Sequence, residues 1–185
     1  MKSILMFTFL ASSLILSTPA AEPSSRPKPA VTFKPQEMAD ALHAVIAADR
    51  EVYARYFDQL ARQGKDGGTN PPVPAHLLRQ ASEAVQTKGA EFHYVLRSLW
   101  PVNPKNAPET PTEKEGLEAV LKQPDQAFYS EESLGGRRYF TAVYADLAVV
   151  PSCVQCHNQH SGSPKKDLKQ GAVMGGLVVR VPLEF

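Results

Sequence analysis

The chain has 185 residues, room for one ordinary domain and little for a second. Twenty lysines and arginines against nineteen aspartates and glutamates leave a net charge of +1, so neither a nucleic-acid footprint nor a funnel for charged substrates is indicated. A hydrophobic fraction of 43% suffices for a buried core, and a globular domain is expected.

The first residues stand apart from that domain. Lys2 supplies a positive start, residues 4–16 form an apolar run, and small residues follow at Ser17, Thr18, Ala20 and Ala21. This is the layout of a secretory signal peptide, with cleavage expected after Ala20. The apolar run is shorter than the roughly 18–20 residues that a membrane span needs. Residues 21–35, rich in Pro and Ser and without periodicity, read as a disordered leader, and residues 36–185 as the folded domain. The mature chain is expected to be periplasmic, with no membrane span.

A first helix is expected from Pro35, which suits an early helical position, to about Gln63. Leu42, Val45, Ile46, Asp49, Val52, Tyr53, Tyr56, Phe57 and Leu60 recur at helical spacing along it. Breakers fill residues 64–72, and a second helix is expected over 75–88, with Leu77, Leu78, Ala81 and Val85 inward. Alternation from Glu91 predicts a strand that Pro101 closes, and the proline-rich stretch 101–111 reads as an irregular loop. A third helix is predicted over 112–122, capped by Thr112 with Glu115 three residues on. Strands are expected over 127–131, 138–146 and 173–181, with Gly135-Gly136 as a hairpin turn. Helices followed by an antiparallel sheet define an α+β layout without internal repeats.

The chemistry concentrates at Cys153, Cys156 and His157, which hold the chain's two cysteines. Cys-x-x-Cys-His is the attachment signature of c-type haem. Two thiols at this spacing add across the two vinyl groups, and the adjacent imidazole becomes the proximal iron ligand. One covalently attached haem c is therefore expected, with the haem-attachment machinery as a partner during maturation. A structural disulfide would close too short a loop to stabilise much. A thioredoxin-like pair should follow an early strand and open a helix, whereas this pair lies late, between Pro151 and a polar stretch over 158–169. Zinc would need more ligands than the motif supplies locally, although His160 is near.

From the second helix onward the chain resembles a family of exported single-haem c-type domains with a PAS-like fold. That family occurs as stand-alone proteins and as the outer sensor part of histidine kinases and chemoreceptors. The likeness rests on Pro74-Ala75, on the run Leu96-Arg97-Ser98-Leu99-Trp100-Pro101-Val102-Asn103-Pro104-Lys105-Asn106-Ala107-Pro108 and on Glu115-Gly116-Leu117. It continues in Pro151-Ser152-Cys153-Val154-Gln155-Cys156-His157 and Gly175-Gly176-Leu177-Val178-Val179. The resemblance implies a PAS-like antiparallel sheet with flanking helices, the N-terminal helix packed near a haem held against the sheet. It also implies a sensory or redox role beside a redox or signalling partner.

Some members of that family use a cysteine of the N-terminal helix opposite the histidine, and this chain has no third cysteine. The candidates for the second axial position are Tyr53, His43, His93, Met38, Met174 and water. Tyr53 lies mid-face on the first helix and tyrosinate binds ferric iron, so Tyr53 joins His157 as a candidate metal ligand. It is equally readable as a packed core tyrosine. His43 and His76 read as surface residues. For the propionates, Arg97 is the favoured partner, ahead of Lys105, Arg137 and Arg138. The functional expectation is a redox- or ligand-responsive sensor component, with a single-haem electron carrier as the alternative. No catalytic constellation is legible, and no enzyme activity is expected.

Overall fold

The computed structural model describes residues 32–63 and 71–184. The expected signal peptide and all but the last residues of the leader lie outside the described residues. Four α-helices and four strands follow in the order α1 (Pro35–Gln63), α2 (Pro74–Thr87), β1 (His93–Arg97), α3 (Pro111–Lys122), β2 (Phe128–Leu134), β3 (Arg137–Leu147), α4 (Pro151–Gln159) and β4 (Val173–Pro182). The strands form one antiparallel sheet in the order β1-β4-β3-β2, the expected PAS-like α+β arrangement. Among the described residues no helix is long and apolar enough to cross a membrane.

Alternation along the strands builds a core on each face. On one face Ala142, Tyr144, Leu177, Val179 and Val181 pack with Ala39, Ile46 and Leu78 from α1 and α2. On the other, Val143 and Val178 meet Leu117 and Val120 from α3. Gly116 lets α3 approach closely, since a Cβ there would overlap the Val143 side chain. Gly175 is required for the same reason against the Arg97 carbonyl. Gly135 and Gly136, with φ of 58° and 82°, form the predicted hairpin turn.

Two helices depart from the sequence pattern. The buried stripe of α1 runs through Ala39, Ile46, Ala54 and Asp58, while Val45, Val52 and Tyr56 are exposed. Small alanines let the helix lie close to the sheet, and that outweighs the pull of the larger valines toward the core. His43, expected at the surface, is half-buried and stacked on Tyr144, with ring centroids 3.8 Å apart and planes 4° from parallel. The second departure is the α3 cap. Thr110 rather than Thr112 accepts the Glu113 amide, at 3.1 Å, because Pro111 takes the first helical position.

Glu113 is then free for a buried ion network on the α3 face. It accepts from Arg97 Nε at 3.2 Å and Arg180 Nη2 at 2.9 Å. Arg180 Nε donates to Glu132 at 2.7 Å, and the Thr141 hydroxyl donates to the same Glu132 oxygen at 2.7 Å. Arg97 extends the network into the proline-rich loop through the Lys105 carbonyl (2.9 Å) and Glu109 (2.6 Å).

Candidate functional site

The Cys-x-x-Cys-His motif lies on α4, a nine-residue helix between the end of β3 and the loop leading to β4. Pro151 at its first position fixes a helical φ, but Val150 before it offers no side-chain cap. The cap comes from α1, where Asp58 Oδ1 accepts the Ser152 amide at 3.0 Å. Asp58 is held in turn by Arg62, whose Nε donates to Oδ2 at 2.8 Å. Burial pushes the Asp58 carboxyl up, but the bonds from Arg62 and Ser152 outweigh it and leave the carboxyl below its ordinary range. Beyond the helix, Asn158 pins the following loop, its Nδ2 donating to the Leu168 carbonyl (3.0 Å) and its Oδ1 accepting the Leu168 amide (3.1 Å).

Spacings of three and four residues place Cys153, Cys156 and His157 along one face of α4. That face forms part of the wall of a cavity of about 400 Å³, within the range of roughly 300–1,000 Å³ usual for small-molecule sites. Phe57 of α1, Val73, Pro101 and Val102 supply apolar wall, and Arg50, Arg79, Arg97 and Asp146 the charges. Both cysteines are free thiols, Cys153 packed with Ala148, Leu168 and Met174, and Cys156 exposed. Burial, with the nearby positive charges of Arg50 and His160, holds His157 below its ordinary range. A neutral imidazole is the form that binds a metal.

The pair does open a helix after a strand, so position alone no longer argues against a thioredoxin-like dithiol. Such dithiols depend on a depressed thiol pKa, whereas burial pushes the Cys153 thiol up. Among the described residues, no group of three or more His, Cys, Asp or Glu side chains is arranged to hold a metal ion, which leaves the zinc alternative without a ligand set.

The structure places the expected site residues as follows. Tyr53 is not among the residues that line the cavity, and its hydroxyl donates to the Pro72 carbonyl at 2.6 Å. Arg97 does line the cavity, and its Nε, Nη1 and Nη2 are engaged by Glu113, Lys105 and Glu109, which anchors the proline-rich loop. Arg137 and Arg138 pair with Glu91 and Glu131 away from the cavity, and Lys105 does not line it. His93 lines a separate cavity of about 410 Å³ over the β1 edge. His43 is stacked on Tyr144, and Met38 is exposed outside the wall. Met174 does reach the wall, as do His76 and His160. His76 and Arg79, three residues apart on α2, and the Arg50–Asp146 pair are site features that helix periodicity and motif spacing do not disclose.

The fold and the site together define a PAS-like α+β domain with a Cys-x-x-Cys-His helix set into the wall of a cavity. The model of the Tll0287-like family matches residues 29–182, and the chain belongs to that family. A crystal structure of the cyanobacterial haem protein Tll0287 is similar at 19% identity and a TM-score of 0.49, over 82% of this chain and 98% of that one. No curated protein matches the chain.

Proposed function

We propose that this chain holds one haem c, bound through thioethers to Cys153 and Cys156 with His157 as axial ligand, and serves as a redox- or ligand-responsive sensor component in the periplasm. The carrying observation is that these three side chains line a single, largely apolar cavity from one helix face. The residues present suit the group. Burial lowers the pKa of His157 and so favours its neutral form, the thiols form no disulfide, and Arg79 of the wall has only a distant partner among the described residues, Glu83 at 3.9 Å, which leaves it available for a propionate. Bound haem would supply an iron centre for electron exchange or for small-ligand binding. The chain's part is to fix the imidazole, exclude bulk water and balance the carboxylates.

The residues around the motif support the sensor over an electron carrier. Beyond the motif, the histidines and methionine among the described cavity residues are His76, His160 and Met174. His76 is exposed, His160 Nδ1 accepts the Gly162 amide at 3.1 Å, and Met174 is packed beside Cys153. None of these is a buried, unengaged imidazole, and such a cavity would suit an exchangeable ligand at a bound haem. No catalytic role is assigned to any residue, and peroxide turnover well above that of free haem would count against the reading.

The test is to produce the protein alongside the haem-attachment machinery and record oxidised and reduced spectra with and without carbon monoxide. Haem that stays with the chain under denaturing conditions in wild type, and is lost in Cys153→Ser/Cys156→Ser, is expected. Carbon monoxide binding on reduction is expected too. A low-spin spectrum indifferent to carbon monoxide would move the function to the single-haem carrier. A colourless protein would sink the haem reading itself.

A further inference from the structure

Arg50 enters the cavity wall from α1 with 9% of its side chain exposed. Its Nη2 donates to Asp146 Oδ2 at 2.8 Å, and Asp146 lines the same wall. Its Nε is buried and has no hydrogen-bond partner among the described residues. Buried donors are nearly always satisfied, so an unmet one marks a place where an acceptor belongs. The other buried arginines sharpen the contrast. Arg97 and Arg180 sit among carboxylates and carbonyls, and the Nε of each has an acceptor.

The sign of the missing acceptor follows from the charges around it. The wall carries the guanidiniums of Arg50, Arg79 and Arg97 against the single carboxylate of Asp146. Glu109 and Glu113 answer Arg97 from outside the wall, but Arg79 has only its distant contact with Glu83. The formal excess of positive charge thus rests on Arg79, whose side chain is 42% exposed at the wall, and a guanidinium N–H facing an anion forms a charge-assisted bond stronger than a neutral one.

We infer that Arg50 is the anion-recognition residue of this cavity, its Nε–H donating to an anionic oxygen or nitrogen acceptor seated in the wall it shares with Cys153 and His157. The inference rests on the haem reading, because the acceptor shares the cavity with the haem. Two sources supply this chemistry, a carboxylate of the haem or a small anion that enters from solution.

The experiment uses the ferric haem-loaded protein as wild type, Arg50→Lys and Arg50→Met. Haem content is measured first, then azide affinity by optical titration, then reduction potential. Lysine keeps the charge but lacks the Nε–H, so Arg50→Lys reads the bond rather than the charge. Arg50→Met removes both, and serves alone if the lysine variant does not hold haem. A small-anion source predicts azide binding weakened about tenfold or more in both variants. A haem-carboxylate source predicts unchanged azide affinity with a displaced potential in Arg50→Lys as well as in Arg50→Met. Arg50→Lys matching wild type in both readouts overturns the inference, as does Arg50→Met matching wild-type azide affinity and potential where that variant stands alone. Absence of haem from the wild-type protein is a different result, and it fails the haem reading instead.

Discussion

The two faces of the sheet treat buried charge in opposite ways. On the α3 face, Arg97, Arg180, Glu113 and Glu132 form a closed set in which each guanidinium meets carboxylates and Thr141 completes Glu132. On the α1 face, Arg50 and Asp146 form a pair beside a cavity, and a buried N–H of Arg50 is left without a partner among the described residues. The closed set holds structure, tying the sheet to α3 and to the proline-rich loop. The open pair has donor capacity left over, which is what a binding site requires. Arg97 and Arg50 are both arginines in the wall of one cavity, and counting their partners tells the anchor from the candidate contact.

The comparison breaks most directly at Glu113. Its side chain is wholly buried and receives two guanidiniums. Glu113→Leu takes a carboxylate from both, leaving Arg97 to Glu109 and the Lys105 carbonyl and Arg180 to Glu132, and removing one member of a buried ion set costs about 3–5 kcal/mol. Urea unfolding should show a loss of that size. A loss below about 1 kcal/mol, the scale of an exposed pair, would mean that the network is solvated rather than closed.

A smaller effect is expected where α1 meets the motif helix. Asp58→Ala removes the acceptor for the Ser152 amide, and loss of a helix cap costs about 0.5–2 kcal/mol. The damage should be local, seen as faster amide exchange at Ser152 and Cys153 while the sheet amides keep their protection. Its pH dependence has a definite sign. The folded-state carboxyl is held below its ordinary value, so this stabilisation is present above the unfolded pKa and fades as pH falls through the lower, folded one. Uniform acceleration across the sheet would show that Asp58 supports the whole fold rather than α4.

The legible and illegible parts of this chain divide by the range of the interactions involved. The Cys153, Cys156 and His157 cluster is legible because its three residues lie within five positions of one another, and Gly135-Gly136 because a two-residue hairpin turn imposes its own spacing. The α3 cap is ambiguous in the sequence, since Thr110 and Thr112 both precede an acidic residue three positions on, and only Pro111 breaks the tie. Helix α4 gave little signal: it has nine residues, no buried residue, and a cap that arrives from Asp58, 94 positions away. Arg50 and Asp146 lie 96 positions apart. Their pairing appears only when α1 crosses β3, and no periodicity in either segment announces it. Tyr53 drew attention through a face assignment centred on the valines, which the alanine stripe of α1 then rotated.

The gentlest test concerns His43, where α1 and the sheet meet without any charge pairing. Burial holds its imidazole below the ordinary value, more than offsetting the pull of Asp40, and the ring lies flat on Tyr144. His93, half-buried on β1, is lowered in the same way by burial and by Arg180. In each case the unfolded chain binds a proton more readily than the folded one between the folded pKa and about 6.5, the unfolded value. Stability should therefore rise with pH through that window and level off above it. His43→Phe keeps an aromatic ring against Tyr144 and removes one titrating group, so the slope of stability against pH should shrink without a large loss at pH 8. If the slope survives in that variant, His93 or His157, both lowered by burial in the same way, carries the dependence, and the α1–sheet contact is as indifferent to protonation as an ordinary apolar interface.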